Sequence, residues 1–195
     1  MGNNIDSQVR AVNRKLRQSI GPVRSGTSSA LNKTATRIKS RVVKAVSGDT
    51  RVKQKHLRKR VFIKPSTGKT LRAKVTAYRR DIPVISLGAA NTRLTKNGAV
   101  VRIDGKAYPG AWIADGSGGF GKYVPGQGYK STSLNSFQLL RRTGDSRYPV
   151  EVLKVEIRPS VDYHTPRISQ QQMSTEYPRI LSPEIDYRMQ KYANR

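Results

Sequence analysis

Residues 81–88 restrict the fold of this chain more than any other stretch. Four of them are apolar and lie close together ahead of Gly88, namely Ile82, Val84, Ile85 and Leu87. This pattern predicts a mostly buried strand. Pro83 donates no backbone hydrogen bond, so we expect the strand to begin there or to lie at a sheet edge. The chain before this strand has the periodicity of helices, and the chain after it contains short apolar runs and glycine-rich turns.

Positive charge is concentrated ahead of this strand. The chain has 38 lysines and arginines against 12 acids, a formal net charge of +26. Within residues 1–80 there are 22 basic residues, and the only acids are Asp6 and Asp49. An excess of this size predicts a polyanionic neighbour, with nucleic acid as the first choice and an acidic protein surface as the second.

The N-terminal region has helical periodicity in two segments. The first carries an apolar stripe with spacings of four, three, four and four residues: Ile5, Val9, Val12, Leu16 and Ile20. Because Gly21 and Pro22 follow this stripe, we expect the helix to end there. A second helix is predicted over about 27–46, with Gly48 as its cap. Its expected inner face consists of Leu31, Thr34, Ala35, Ile38, Val42, Ala45 and Val46.

The densest run of charge lies within residues 50–60. Its six cations, here called the basic cluster, are Arg51, Lys53, Lys55, Arg58, Lys59 and Arg60. A short helix capped by Asp49 or Thr50 would turn Val52 and Leu57 inward. The cluster is the candidate surface for DNA phosphate or an acidic neighbour, and a merely solvated helix face is the alternative.

Residues 61–159 have the pattern of a β-rich body. A hairpin is predicted from strands at 61–63 and 71–78, and further strands at 99–103, 120–124, 137–142 and 148–157. Asp104 and Gly105 form a tight hairpin signal, and Leu153 and Lys154 interrupt the alternation as a bulge would. Trp112 lies in an apolar run and is expected in the core. Residues 125–136 predict an exposed, mobile loop.

The C-terminal segment 160–195 contains Pro166, Pro178 and Pro183, so no single long helix is expected. We expect an extended or helical arm that packs on a neighbour. The predicted fold class is therefore α+β, with N-terminal helices, one of them long and basic, packed on a mostly antiparallel sheet. The expected divisions are basic helices at 1–60, the β-rich body at 61–159 and the arm at 160–195.

The side-chain inventory argues against an enzyme. The chain has no cysteine, and its two histidines, His56 and His164, lie far apart, which leaves no metal-ligand pattern. We expect His56 to be a solvated polar group and His164 a structural one without a ligand partner. No acid, base and nucleophile cluster, so no catalytic, cofactor-binding or metal residue is predicted. No apolar run approaches the ~20 residues of a membrane span, and no secretory signal is visible.

Three groups of motifs occur in a fixed order. They are Asp81-Ile82-Pro83-Val84-Ile85-Ser86-Leu87-Gly88, then Tyr108-Pro109-Gly110-Ala111-Trp112-Ile113-Ala114 with Gly121-Lys122-Tyr123-Val124, then Leu140-Arg141-Arg142-Thr143-Gly144 with Arg147-Tyr148-Pro149-Val150-Glu151-Val152 and Pro159-Ser160-Val161. This order resembles the minor tail protein Z family of tailed phages and prophages over about residues 25–165. Each motif is short, so their order carries the resemblance. Trp112 stands where the family has phenylalanine.

The resemblance implies a structural virion protein that acts late in tail assembly, at the end of the tail that joins the head. Its expected partners are further copies in a ring, the tail terminator, the head-closure or connector proteins and genomic duplex DNA. Its expected location is the tail or neck of the virion, after assembly in the host cytoplasm. The alternative is a nucleic-acid-binding protein without sequence specificity, such as a ribosomal or nucleoid protein. The sequence shows no aromatic RNP sheet, KH loop or zinc ligands that would favour it.

Overall fold

The computed structural model describes residues 3–88, 90–95, 98–114, 122–124, 128–130, 138–144 and 149–194. Its helices are α1 (Asn3–Thr50), α2 (Gln54–Arg58) and α3 (Arg158–Ala193). Its strands are β1 (Val61–Lys64), β2 (Lys74–Ala77), β3 (Ile82–Pro83), β4 (Ala90–Thr95), β5 (Gly98–Ile103), β6 (Lys106–Pro109), β7 (Ala111–Ala114), β8 (Lys122–Val124), β9 (Gly128–Lys130), β10 (Gln138–Arg142), β11 (Val150–Val152) and β12 (Lys154–Val155). This mixture of helices and small antiparallel sheets confirms the predicted α+β class.

The backbone divides into two compact units. The first combines Met1–Tyr78 with Ser160–Arg195, and the second is Arg79–Pro159. The first unit contains α1, α2, β1, β2 and all of α3 from Ser160 onward. All the remaining strands belong to the second.

Helix α1 is one helix of 48 residues, so the predicted break at Gly21 and Pro22 is wrong. At 1.5 Å per residue the helix is about 72 Å long. A proline inside a helix costs about 3 kcal/mol. Pro22 is itself buried, and α3 contacts α1 one turn later at Gly26, so tertiary packing offsets the missing hydrogen bond. The most buried residues of α1 recur at helical spacing: Ala30, Thr34, Ala35, Ile38, Val42, Val43 and Val46.

Helix α3 is also continuous, over 36 residues, although Pro166, Pro178 and Pro183 lie inside it. The expectation that no long helix would form here is therefore wrong. The predicted arm packs on α1 of its own chain, whereas the sequence indicated packing on a neighbour. Helix α3 runs antiparallel to α1, since Gly26 contacts Ile185 whereas Asp49 contacts His164.

Strands β1 and β2 form the predicted hairpin, and together with α2 they pack on α1. Val61 is buried at the start of β1. In the loop between β1 and β2, the backbone of Ser66 forms two hydrogen bonds with the side chain of Asn32 in α1. Asn32 Nδ2 donates to the carbonyl oxygen at 3.0 Å, and Asn32 Oδ1 accepts from the amide nitrogen at 2.7 Å. These two bonds attach the hairpin loop to the middle of α1.

The second unit is built from small antiparallel sheets. Strand β10 lies between β7 and β11, β5 lies between β4 and β6, and β3–β12 and β8–β9 are separate pairs. The sequence did not predict β4. The two-residue turn between β5 and β6 is the predicted one, with positive φ at Asp104 and Gly105. The core of this unit contains Ile82, Val84, Leu87, Val101, Ile103, Ala111, Ala114, Leu139, Leu140 and Ile157.

Residues 81–88 are buried as predicted but are not one strand. After β3 the chain turns into a 3-10 helix, Val84–Leu87, and the three-residue period of that helix turns both of its end residues inward. Further along, the predicted strand 148–157 is interrupted at Leu153, where the chain changes partner from β10 to β3. The expected bulge is thus a switch between two sheets.

Two other predictions for the second unit need correction. Trp112 is only half-buried, and the guanidinium carbon of Arg142 lies 5.8 Å from the centre of its ring. The predicted loop 125–136 contains β9, which pairs with β8. The rest of that loop lies outside the described residues, as do residues 120–121, 137 and 148 of the predicted strands.

Candidate nucleic-acid interface

The basic cluster begins directly after α1. Arg51 has a positive φ of 54°, a left-handed conformation that ends the helix and redirects the chain. Ser47 Oγ then donates a hydrogen bond to the carbonyl oxygen of Val52 at 2.7 Å, which holds the turn against the end of α1. Val52 and Leu57 are both only 2% exposed, as their spacing predicted.

The segment is also fixed at its far end. The amide of Arg60 donates to the carbonyl of Leu57 at 2.8 Å, and the amide of Tyr78 donates to the carbonyl of Arg60 at the same distance. The predicted cap is absent, because Lys53 precedes α2 and makes no capping hydrogen bond through its side chain. Buried apolar anchors and backbone bonds therefore position α2.

The cluster faces solvent along this segment. Arg60 is half-buried, and the other five side chains are exposed. Between residues 50 and 80 the sequence contains no acid at all. His56, which we expected to be solvated, is half-buried. The structure thus brings the six predicted cations together on one anchored, ten-residue segment, and their role towards DNA or a partner stays a prediction.

The acid nearest to the cluster in sequence is bound to α3. Asp49 Oδ2 accepts a hydrogen bond from Ser160 Oγ at 2.8 Å and lies 2.7 Å from His164 Nε2. The bond from Ser160, followed by the contact with His164, lowers the pKa of Asp49. His164 therefore joins α3 to α1, the structural role that was predicted for it. No sequence signal joins residues more than a hundred positions apart, so this contact was missed.

Further ion pairs connect α1 to α3. Lys33 forms an ion pair with Glu184. Glu176 forms ion pairs with both Arg37 and Arg41, and the Nη2 atom of Arg41 lies 3.9 Å from Glu176 Oε1. The hydrogen bond from Lys33, and then that from Ser29, lowers the pKa of Glu184. These acids of α3 therefore neutralise cations of α1, at a distance in sequence from the basic cluster.

These two carboxylates, Asp49 and Glu184, predict acid sensitivity. Their lowered pKa values lie below the ordinary values of 3.8 and 4.5. Their stabilisation is complete above the ordinary values and is lost as the pH falls through the lowered ones. We expect the Tm of the wild type to fall more steeply below about pH 4 than that of the Asp49→Asn, Glu184→Gln double variant. Circular dichroism melts from about pH 6 to 2 measure this, and parallel curves would contradict it.

The chemistry available at the cluster is electrostatic. Among the described residues, no group of three histidines or acids is placed to hold a metal ion. Nor does any helix in the described part of the chain have the length and apolar content of a membrane span. Exposed lysines and arginines on a fixed backbone bind phosphates without reading sequence. They bind an acidic protein surface by the same charge complementarity.

Comparisons with known proteins agree with the order of motifs. The sequence profile of the family described as prophage minor tail protein Z (GPZ) matches residues 5–195. The chain is 33% identical to the tail completion protein of Escherichia phage N15 over 138 residues, which are 67% of this chain and 66% of that protein. It thus spans just under two thirds of that relative's length.

A second relative is more distant but is matched over a longer stretch. The chain is 27% identical to tail completion protein Z of Escherichia phage lambda over 160 residues, 75% of this chain and 76% of that protein. No solved structure matches the chain. The family profile covers nearly all of the sequence, including α1, the basic cluster and α3. The chain therefore belongs to the prophage minor tail protein Z family of bacteriophage tail proteins.

Proposed function

We propose that this protein completes the phage tail at the end that joins the head. In this proposal several copies surround the DNA path as a non-enzymatic ring between the tail and the head-closure proteins. The basic cluster faces the channel and offsets the repulsion between phosphates and the surrounding protein. The names of the two relatives support the tail-completion part of the proposal.

The observation that carries the DNA part is the basic cluster itself, which is largely exposed and lies in a stretch without acids. Buried Val52 and Leu57 hold its backbone, so the cluster is presented on a fixed surface. The nearby acid, Asp49, is occupied by Ser160 and His164. A surface of this kind attracts phosphate at any sequence, as a channel wall that contacts passing DNA must do. The family match favours this function over a ribosomal or nucleoid protein.

We expect the purified protein to bind duplex DNA weakly, without sequence preference and with steep salt dependence. Each phosphate contact contributes about 0.9 to the slope of log K against log salt. Replacing all six cluster residues by glutamine should therefore reduce the slope by up to about 5. Fluorescence anisotropy with duplexes of two unrelated sequences, titrated at several salt concentrations, measures the effect.

A matched control separates the cluster from the overall charge. It replaces six exposed cations elsewhere by glutamine and so removes the same charge: Arg24, Arg102, Lys106, Lys154, Arg179 and Lys191. We expect this control to lose much less of the salt slope than the cluster variant. Equal losses would show that only net charge matters, and tight or sequence-selective binding by the wild type would contradict the proposed role of the cluster.

A further inference from the structure

One face of the β1–β2 hairpin differs from the rest of the basic surface. Phe62 lies opposite Thr76 and Lys64 lies opposite Lys74 in the strand register. Residues opposite each other in antiparallel strands project to the same side of the sheet. These four side chains and Tyr78 are all exposed, whereas their neighbours along both strands are at least half-buried. We call the five exposed residues the outer hairpin face.

Two aromatic rings form the apolar part of the outer hairpin face. Phe62 is 49% exposed and Tyr78 is 55% exposed. Their ring centroids are 5.3 Å apart with an interplanar angle of 84°, an edge-to-face contact. The rings thus support each other and leave about half of their surface in water. Aromatic side chains are enriched in the cores of protein interfaces, and tyrosine is among the residues that most often carry the binding energy.

Two lysines form the charged part. Lys64 and Lys74 are direct cross-strand partners, and like charges in that position destabilise a hairpin. The sequence supplies no acid between residues 50 and 80 to compensate them. A carboxylate from another molecule, placed between the two ammonium groups, would remove the repulsion. The lysine pair therefore indicates an anionic partner.

We propose that the outer hairpin face docks on another protein of the phage tail. The partner surface fitted to it has an apolar pocket for Phe62 and Tyr78, with carboxylates at its rim that face Lys64 and Lys74. This inference rests on the proposed function only for the assumption that the partner is a tail protein. It adds a second contact surface, distinct in chemistry from the basic cluster.

The aromatic pair distinguishes a protein partner from duplex DNA and from another copy of this chain. In a duplex the bases are stacked on each other, so the two rings find no free base face on which to stack. A further copy is a poor source of carboxylates, because the chain has only 12 acids in 195 residues. Of these, Asp49, Glu151, Glu176 and Glu184 already bind side chains of their own chain.

The test uses phage tails assembled in the absence of this protein. Purified protein is mixed with these tails, and the fraction that co-sediments with them through a glycerol gradient is measured. We expect the Phe62→Ala, Tyr78→Ala double variant to bind the tails at least about tenfold more weakly than the wild type. The control variant Tyr187→Ala, Tyr192→Ala removes two aromatic rings of similar exposure, 57% and 51%, from α3 and should bind normally.

Two further measurements separate docking from effects on folding and on DNA binding. The hairpin double variant should stay folded with a modestly lower Tm, because each ring is about half-buried and contacts the other. It should keep its affinity for duplex DNA, because the rings contribute nothing to phosphate contacts. The Lys64→Gln, Lys74→Gln variant should melt slightly above the wild type, since the cross-strand repulsion is gone. It should nevertheless bind the tails more weakly, a combination that a purely structural role would not produce.

The outcomes that overturn the inference are separable from those that overturn the proposed function. Normal tail binding by the hairpin double variant would refute the docking surface alone. Loss of duplex affinity with normal tail binding would make the face a nucleic-acid surface and also refute it. Failure of the wild type to bind the tails would refute both proposals, whereas the salt titration of the basic cluster tests only the DNA contact.

Discussion

Replacing Gly26 by leucine lowers the free energy of unfolding by about 2–3 kcal/mol, because the new side chain has no space between α1 and α3. A Cβ atom at Gly26 would lie 2.9 Å from the Cα of Ile185 and 3.0 Å from the carbonyl oxygen of Glu184. Both are backbone atoms, so the helices themselves would have to separate. For a chain of this size, thermal melts should show a Tm lower by roughly 5–10 °C.

Gly48 provides the matched control. It lies in the same helix, and nothing is within 4 Å of the position that its Cβ atom would take. Leucine has a better helix propensity than glycine, so Gly48→Leu should be neutral or should stabilise the protein by up to about 1 kcal/mol. If Gly26→Leu proved as harmless as Gly48→Leu, α1 and α3 would not be in close contact at this crossing.

Removal of the basic cluster has the largest expected effect on the particle. The six-glutamine variant should fold with a Tm close to that of the wild type, because five of the six side chains are exposed and exposed substitutions usually change stability by less than about 0.5 kcal/mol each. When it replaces the wild type in a plaque-forming assay, the titre should nevertheless fall about tenfold or more. Several copies surround the channel in the proposed ring, so the loss of charge is repeated at every copy.

The control that removes six cations elsewhere should form plaques at close to the wild-type titre. A normal titre from the cluster variant, with the protein present in the particles, would show that the cluster is only a solvated surface. A low titre from both variants would assign the effect to total charge. The assay therefore separates the position of the charge from its amount.

Local patterns in the sequence predicted local structure well. The hairpin turn at Asp104 and Gly105 and the inward direction of Val52 and Leu57 are confirmed. Both features depend only on residues close in sequence, because backbone preference determines the turn and apolar spacing determines which side chains are buried. Strand β4 was missed because Ala90–Thr95 has little apolar alternation and is paired through its backbone with β5.

The predicted breaks in the two long helices were wrong because contacts between residues distant in sequence decide whether these helices continue. A proline removes one backbone hydrogen bond, which is a local cost, but α1 and α3 contact each other from Gly26 and Ile185 to Asp49 and His164. Several contacts spread over this stretch offset that local cost, and they join residues too far apart in sequence for a local pattern to show them. The prediction counted the local cost of each proline and left out the stabilisation that tertiary packing gives to the helix.

At the candidate site, too, the sequence predicted features within one short stretch and missed contacts between distant residues. The basic cluster is contiguous in sequence, and its six cations could be named before the fold was known. The ion pairs that occupy acids of α3, such as Lys33 with Glu184, join residues more than a hundred positions apart. The outer hairpin face required the strand register, because only the register places Lys64 opposite Lys74.

Electron microscopy of complete phage particles tests the central claim most directly. We expect density for this protein as a ring at the end of the tail that joins the head, around the DNA channel, with the basic cluster towards the DNA. Particles made without the protein should lack this ring and should accumulate as separate heads and tails. Density at the distal tip or along the tail tube, or complete particles that contain none of this protein, would contradict the proposed function.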